Sequence, residues 1–196
     1  MNSAPSARPR GRPAAATREE VLAAAMHRYL RGRRIDVQAI AAELGLARAT
    51  IYRWFGSRED LIGEVLFRAA EPLLEEARAY ARTRRGSRVL NTFDRFNRSL
   101  ADAPALRRFV EAERDAAVRI ITAGAGMVQP RIVARIAEVI EDEIDAGRYR
   151  APVEVSTLAY AIVKLAEAFL FNDAAAGMRG DVDRLREVEA ALLGVT

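Results

Sequence analysis

The stretch VQAIAAELGLARATIYRWF, residues 37–55, reads as two short helices joined by a tight turn. In its first half, apolar residues recur at the three- and four-residue intervals of one helical face, namely Val37, Ile40, Ala41 and Leu44. Asp36 precedes them as a helix N-cap, and Gly45 suits the left-handed backbone that often follows a helix. The pattern predicts a helix-turn-helix, whose second helix enters the major groove of DNA. Two ordinary core helices joined by a turn are the alternative.

The second helix of this motif would begin near Arg48, and it carries side chains suited to DNA contact. Arg48 and Thr50 are the candidates for contacts to base edges, because arginine pairs well with guanine O6 and N7. Tyr52 and Arg53 follow on the same helix and could reach phosphates or bases. Arg58, at the start of the next helix, is a candidate phosphate anchor together with the free N–H groups there.

An arginine-rich segment, RPRGRP at residues 8–13, precedes the first helix. Its arginines are Arg8, Arg10 and Arg12, and the intervening proline and glycine favour an extended chain that can approach a groove floor. The core PRGRP resembles an AT-hook, a short peptide that binds the minor groove, where arginine is attracted by negative potential. We therefore predict that residues 1–16 form a disordered basic arm that binds DNA. A solvated basic tail is the alternative.

Positive charge is concentrated around this region of the chain. Residues 1–60 hold eleven arginines and six acidic residues, whereas the rest is close to neutral in a chain of net charge +4 at pH 7. A positive field around a helix-turn-helix is what phosphate contact requires.

Composition argues against several other classes of protein. The 196 residues contain no cysteine, so we expect neither disulfides nor a thiolate metal site. No apolar run reaches the roughly 18 residues that span a bilayer, and no apolar leader is present, so we expect a cytoplasmic protein. The chain has no glycine-rich phosphate loop and no Gly-x-Ser-x-Gly turn, so we expect no enzyme activity, no cofactor and no metal.

Helical signals continue along the whole chain. Thr17 and Glu20 form a capping box before the first helix, and Pro72 predicts a kink or break near residues 69–71 of a long helix. No segment shows strand alternation, so the predicted fold class is all-α, with about nine helices. Besides the two helices of the motif, the predicted helices span about 18–31, 58–83, 87–101, 104–121, 128–146, 153–172 and 182–193.

The segment TIYRWFGSREDLIGEVL, residues 50–66, resembles the tetracycline-repressor (TetR) family of transcription regulators. The family places an aromatic-rich recognition helix before Ser-Lys/Arg-Glu-x-Leu, which is represented here by Ser57, Arg58, Glu59 and Leu61. The resemblance covers about residues 17–66. The chain departs from the family pattern in a segment between helices 1 and 2 that is about one residue short, and in Asp36 where threonine is usual.

The resemblance implies a helix-turn-helix DNA-binding domain at residues 17–62 and a helical effector-binding and dimerisation domain at residues 63–196. It also implies a homodimer on a near-palindromic operator, acting as a repressor that a small apolar effector releases. The segment at residues 170–194 is similar to a subgroup containing a regulator of quorum-sensing signal degradation, which implies a lactone-like or similar apolar effector. The expected partners are thus double-stranded DNA, a second copy and a small molecule, with no membrane. The alternative is an architectural DNA-binding protein that uses the arm without an effector.

A ligand pocket in the second domain is predicted from polar residues within apolar helix faces. Glu113 and Glu167 are carboxylates at positions that helical spacing turns inward, and Asn97 lies on a face with phenylalanines. A buried carboxylate needs a partner, so an internal ion pair, for example with Lys164, is the alternative to a ligand contact. The predicted pocket residues are Phe93, Phe96, Asn97, Phe109, Glu113, Val163 and Glu167.

The last two predicted helices carry long apolar faces, which the resemblance assigns to a four-helix bundle between subunits. The residues predicted to form this dimer interface are Val155, Leu158, Ile162, Phe169, Leu185, Val188 and Leu192. Faces of this extent could equally belong to the core of a single chain.

Overall fold

The computed structural model describes residues 16–171 and 181–195, and all regular secondary structure in these ranges is helical. The predicted arm with Arg8, Arg10 and Arg12 lies, apart from residue 16, outside the described residues. The ten helices in these ranges are α1 Arg18–Leu30, α2 Val37–Glu43, α3 Arg48–Phe55, α4 Arg58–Arg82, α5 Arg88–Asp102, α6 Pro104–Ala112, α7 Arg114–Thr122, α8 Gln129–Asp145, α9 Val155–Phe171 and α10 Val182–Leu193. The all-α prediction is confirmed.

Local side-chain capping sets the first helix boundaries, as the sequence predicts. The Thr17 hydroxyl accepts a hydrogen bond from the Glu20 N–H at 3.2 Å, and the Glu20 carboxylate accepts from the Thr17 N–H at 2.6 Å. Asp36 caps α2 by accepting from the N–H groups of Gln38 at 2.7 Å and Ala39 at 3.0 Å. These N–H groups have no partner inside their helices, so the caps stabilise the starts of α1 and α2.

The predicted break near Pro72 is absent, because α4 runs without interruption from Arg58 to Arg82. Pro72 removes one backbone hydrogen bond, which normally destabilises a helix interior. Ala70 and Leu74, on either side of it, are both buried in the same hydrophobic core. Packing of α4 on both sides of the proline offsets the lost hydrogen bond.

The helix predicted over residues 104–121 is two helices, α6 and α7, which accounts for ten helices rather than nine. Glu113 separates them with φ −135° and ψ 50°, outside the α-helical region. Neither glycine nor proline stands at this point, so the sequence carries no local signal for the break.

Two hydrophobic cores organise the described helices. The first joins α1, α2, α3 and the first half of α4 to α6 and α7, and it includes Leu22, Ile40 and Leu61. The second joins the later half of α4 to α5, α8, α9 and the end of α10, and it includes the fully buried Leu158. The helix-turn-helix therefore shares its core with α6 and α7. In the described ranges, no helix is both long enough and apolar enough to cross a bilayer.

Candidate DNA-binding surface and effector cavity

Helix α3 presents one exposed face, as a recognition helix requires. Arg48, Tyr52 and Arg53 are exposed. Ile51 and Phe55 are buried in the core with α1 and α4, which holds α3 in place. Thr50 is partly exposed, so the structure brings all four residues predicted on this helix to its accessible side or edge. Such a surface can enter a major groove.

Arg58 differs from the other predicted DNA-contact residues, because its guanidinium is engaged within the protein. Its Nε donates to the backbone oxygen of Ile35 at 2.7 Å. Its Nη2 donates to both carboxylate oxygens of Glu113, at 2.7 and 2.8 Å. Glu113, which was predicted to line the pocket, thus has a protein partner in Arg58, whereas contact of Arg58 with a phosphate stays a prediction. The pair joins the start of α4 to the break between α6 and α7.

A second set of ion pairs links the helix-turn-helix to α8. Arg68 of α4 pairs with Glu19 of α1 and donates from Nε to Glu64 at 3.2 Å. Arg131 of α8 donates to the other Glu64 oxygen at 2.6 Å. Burial opposes ionisation of Glu64, but the hydrogen bonds from Arg131 and Arg68 hold its pKa below the ordinary value. Carboxylates and guanidinium groups thus connect α1, α4 and α8 across the molecule.

An apolar cavity of about 490 Å³ lies between the two cores. Its walls come from α1, α4, α5, α6, α7, α8 and α9, and a volume of this size is typical of small-molecule sites. Five of the predicted pocket residues line it, namely Phe93, Phe96, Asn97, Val163 and Glu167.

Two predicted pocket residues, Phe109 and Glu113, do not line the cavity. Phe109 packs edge-on against Tyr29, with ring centroids 6.4 Å apart, and Glu113 binds Arg58. Sequence reasoning missed Gln129, which lines the cavity although only 4 % of it is exposed. Its place in the first turn of α8, between Val128 and Pro130, offered no polar pattern that would reveal it.

The polar part of the cavity wall is centred on Glu167. Its Oε1 accepts from Gln129 Nε2 at 2.6 Å, and its Oε2 accepts from Lys164 Nζ at 2.8 Å. Gln129 Nε2 also donates to the backbone oxygen of Thr122 at 2.9 Å. Glu167 therefore has an internal ion-pair partner and also lines the cavity, and its contact with a ligand stays a prediction.

Asn97 connects the cavity to a buried carboxyl group that sequence reasoning missed. Its Nδ2 donates to Oε1 of Glu189 at 2.9 Å. Glu189 is fully buried, and its Oε2 has no hydrogen-bond partner among the described residues. Burial raises the pKa of Glu189 to about 8. The signal was present in the sequence, because Glu189 stands one helical turn from both Leu185 and Leu193.

Comparisons with known proteins agree with this arrangement of a helix-turn-helix followed by further helices. A family model described as bacterial regulatory proteins of the tetR family matches residues 33–65, across the helix-turn-helix. A second model, described as the tetracyclin repressor-like C-terminal domain, matches residues 86–194, more than half of the chain. The chain belongs to the TetR family. Members of this family are DNA-binding transcription regulators, which confirms the prediction that this chain is not an enzyme.

Solved structures show the same fold. The transcriptional repressor QsdR of R. erythropolis aligns with a TM-score of 0.81 and 26 % identity, over 91 % of this chain and 95 % of that one. The TetR-family repressor AlkX of a Dietzia species aligns with a TM-score of 0.59 and 24 % identity, over 91 % and 96 %. A comparison with curated proteins found no match. Similarity to QsdR extends over both the helix-turn-helix and the helices that follow it.

Most residues predicted for the TetR-type dimer interface are internal. The structure corrects these assignments, because Leu158, Ile162, Phe169 and Leu185 are buried within one chain. Ile162 lines the cavity instead. Three of the predicted residues keep accessible surface: Val188 is 41 % exposed, and Val155 and Leu192 are partly exposed. Tyr160 of α9, which was not predicted, is 51 % exposed. The amphipathic pattern identified the helices correctly, but it assigned the more hydrophobic face to the wrong neighbour.

Proposed function

We propose that this TetR-family regulator is a dimeric repressor that binds a near-palindromic operator and is released by a small apolar effector. The observation that carries the proposal is that the cavity wall includes Tyr29 and Leu30 of α1, the first helix of the helix-turn-helix. An occupant of the cavity therefore contacts the DNA-binding domain directly. The word repressor in the names of QsdR and AlkX supports the direction of regulation.

Coupling between effector and DNA follows from the shared core. Leu106 of α6 and Ile121 of α7 line the cavity, and both belong to the core that holds the helix-turn-helix. The Arg58–Glu113 pair ties the same two helices to the start of α4. A ligand that displaces α6 or α7 therefore changes the orientation of α3, which shifts the equilibrium away from operator binding when the ligand prefers that arrangement. Residues 17–62 and 63–196 are the proposed DNA-binding and effector domains.

Selection of bound duplexes from a random library tests the proposed operator. Enrichment of one inverted repeat at near-physiological salt is the expected result, because a two-fold dimer presents two recognition helices about one helical turn apart. Enrichment of A·T-rich sequence without symmetry would instead support the architectural alternative, in which the arginine-rich arm dominates binding.

Arg48→Ala should relax operator specificity. We propose that Arg48, Thr50, Tyr52 and Arg53 read the groove, and loss of a bidentate arginine contact lowers discrimination at one base pair of each half-site by about tenfold or more. Binding titrations with operators substituted at each position measure this effect. Arg82→Ala is the matched control, because Arg82 is exposed at the opposite end of α4, about 36 Å from its start by the rise of a helix. Unchanged specificity in Arg48→Ala would contradict the role of α3 as the reading helix.

Val188→Asp should weaken the dimer. We propose that the outer faces of α9 and α10, with Val188 and Tyr160, pack against a second copy, and a buried unpaired carboxylate there raises the dissociation constant by about tenfold or more. Sedimentation over a range of concentrations measures the constant. Ala42→Asp adds the same charge to an exposed alanine of α2 and should leave the oligomeric state unchanged. A Val188→Asp protein with the wild-type constant would place the interface elsewhere.

A further inference from the structure

The effector cavity has a mostly apolar wall that also includes Arg95, Asn97, Ser99 and Asp102. Gln129 and Glu167 form a polar corner of this wall, and the hydrogen bonds of that corner decide which head group fits it. Gln129 and Glu167 line the cavity, yet only 4 % of the first and 8 % of the second are exposed. Buried polar atoms that meet an occupant must be hydrogen-bonded by it or by the protein, because an unpaired one is costly. The bonds that these two side chains already make therefore define what a ligand must supply.

Gln129 has no N–H group left for a ligand. Its side-chain amide carries two hydrogens, and Nε2 donates to Thr122 O at 2.9 Å and to Glu167 Oε1 at 2.6 Å. Its remaining polar atom is the carbonyl oxygen, which only accepts. Gln129 thus cannot donate to an ester, a ketone or a carboxylate placed in this corner.

Glu167 also offers only acceptors. Its two oxygens each accept one bond, from Gln129 and from Lys164, and each carboxylate oxygen can accept a second. Glu167 pairs with Lys164 at 2.8 Å, and a carboxylate accepts hydrogen bonds without donating one. The corner therefore combines a carboxylate and a carbonyl oxygen, and it favours a ligand whose head group donates hydrogen bonds.

Charge in the cavity disfavours an anionic head group. Glu167 lines the cavity and Lys164 does not, so an anion in this corner would meet the Glu167 carboxylate. Arg95 lines another part of the wall, but it donates to Glu76 at 2.6 Å and shares that wall with the carboxylate of Asp102. Glu76 thus compensates the charge of Arg95, although the buried Nε–H of Arg95 has no hydrogen-bond partner among the described residues.

We infer that the effector is a neutral aliphatic molecule whose head group donates a hydrogen bond, such as an amide N–H or a hydroxyl, to the Gln129–Glu167 corner. This inference rests on the proposed function of the cavity as the effector site, and it names the chemical class of the ligand. The chain of the ligand lies against the apolar wall, which Leu66, Phe93 and Ile162 help to form.

Four probes of equal chain length test the head group on the full-length protein without DNA. Decanamide and decan-1-ol supply hydrogens, methyl decanoate supplies only acceptors, and decanoate is an anion. Calorimetric titration should give the amide and the alcohol an affinity about tenfold or more above that of the ester, because the ester has no hydrogen for the acceptor positions that Glu167 and Gln129 still offer. Decanoate should bind no better than the ester. Equal affinities, tighter binding of the ester or the acid, or no binding of the amide and the alcohol would overturn the inference.

Glu167→Gln provides a matched test of the corner itself. The new amide retains an oxygen that can accept from Gln129 and brings N–H groups, so the ester should gain affinity relative to decan-1-ol and the preference should shrink by about tenfold. Glu141→Gln is the control, since Glu141 is exposed on α8 and should leave the ranking unchanged. An unchanged ranking in Glu167→Gln would contradict the assignment, and if that variant failed to fold, the wild-type ranking of the four probes would still decide.

Operator release is measured separately, so the two proposals fail in different ways. If decanamide binds as expected but does not release a selected operator, the head-group assignment stands and the release mechanism is wrong. If a ligand releases the operator but the four probes show no preference for hydrogen-bond donors, the regulator function stands and the assignment is wrong.

Discussion

Replacing Glu189 with glutamine should remove a large pH dependence from the stability of this protein. Glu189 is fully buried on α10, and its Oε2 has no partner among the described residues. Burial raises its pKa from 4.5 to about 8. The negative charge of Asp94 also raises this pKa, whereas the hydrogen bond from Asn97 and the positive charge of Arg186 lower it. The folded protein therefore holds a proton on Glu189 at neutral pH, whereas the unfolded chain does not.

The sign of the effect follows from proton linkage. Between pH 4.5 and about 8 the folded state binds more protons at this site than the unfolded state, so the free energy of unfolding falls as the pH rises through this range. The contribution of Glu189 is fully present below pH 4.5 and is lost above about pH 8. At about 1.4 kcal/mol for each pKa unit, the total loss is on the order of 5 kcal/mol.

Urea unfolding of both proteins at about pH 5 and pH 9 measures the effect. The glutamine of Glu189→Gln is neutral at every pH. We therefore expect the free energy of unfolding of this variant to equal that of the wild type near pH 5 and to exceed it by several kcal/mol near pH 9, on the order of the linkage energy. Glu187→Gln is the control, because Glu187 lies on the exposed side of the same helix. A stability difference between Glu189→Gln and the wild type that stays constant with pH would show that Glu189 does not retain its proton.

Arg58→Ala should destabilise the folded protein even without DNA. The guanidinium of Arg58 bonds Ile35 O and both oxygens of Glu113, and the two side chains are 23 % and 18 % exposed. Removal of one partner leaves the other charge half-buried, which costs about 3 kcal/mol at the lower end of the range for buried pairs. A surface phosphate anchor would behave differently, since its loss would weaken DNA binding and leave unfolding almost unchanged.

A double-mutant cycle separates the pair from other effects of each substitution. Arg58→Ala, Glu113→Ala and the double variant should show a coupling of about 1 kcal/mol or more, because each single change removes the same interaction. Arg82→Ala alters an exposed arginine at the far end of α4, so its free energy of unfolding should stay within about 0.5 kcal/mol of the wild-type value. An additive cycle, or an Arg58→Ala protein as stable as the wild type, would contradict the proposed junction between α4 and the α6–α7 break.

The local features of the chain were predictable because their causes are local. The Thr17 capping box and the Asp36 cap depend on residues two or three positions apart, and the apolar periodicity of α2 and α3 lies within one short segment. The resemblance to the TetR family rests on the same segment, and the match over residues 33–65 confirms it. Helix type and order were therefore readable in the sequence, apart from the continuous α4 and the divided α6–α7.

The candidate effector site was only partly predictable, because periodicity shows that a face is buried but does not identify its neighbour. Phe93 and Phe109 both lie on inward faces, yet only Phe93 reaches the cavity. Leu158 and Leu185 looked equally suited to a dimer interface, and both are buried in the core of one chain. The choice between core, cavity and interface depends on how whole helices pack.

The helical fold, the helix-turn-helix and the family follow from local sequence, since capping, turn residues and periodicity act over a few positions. The partners of the buried charges depend instead on tertiary packing. Arg58 meets Glu113 across 55 positions, Gln129 meets Glu167 across 38, and Asn97 meets Glu189 across 92. A carboxylate on an inward face must find a hydrogen-bond partner, but which one it finds is set by the packing of distant helices.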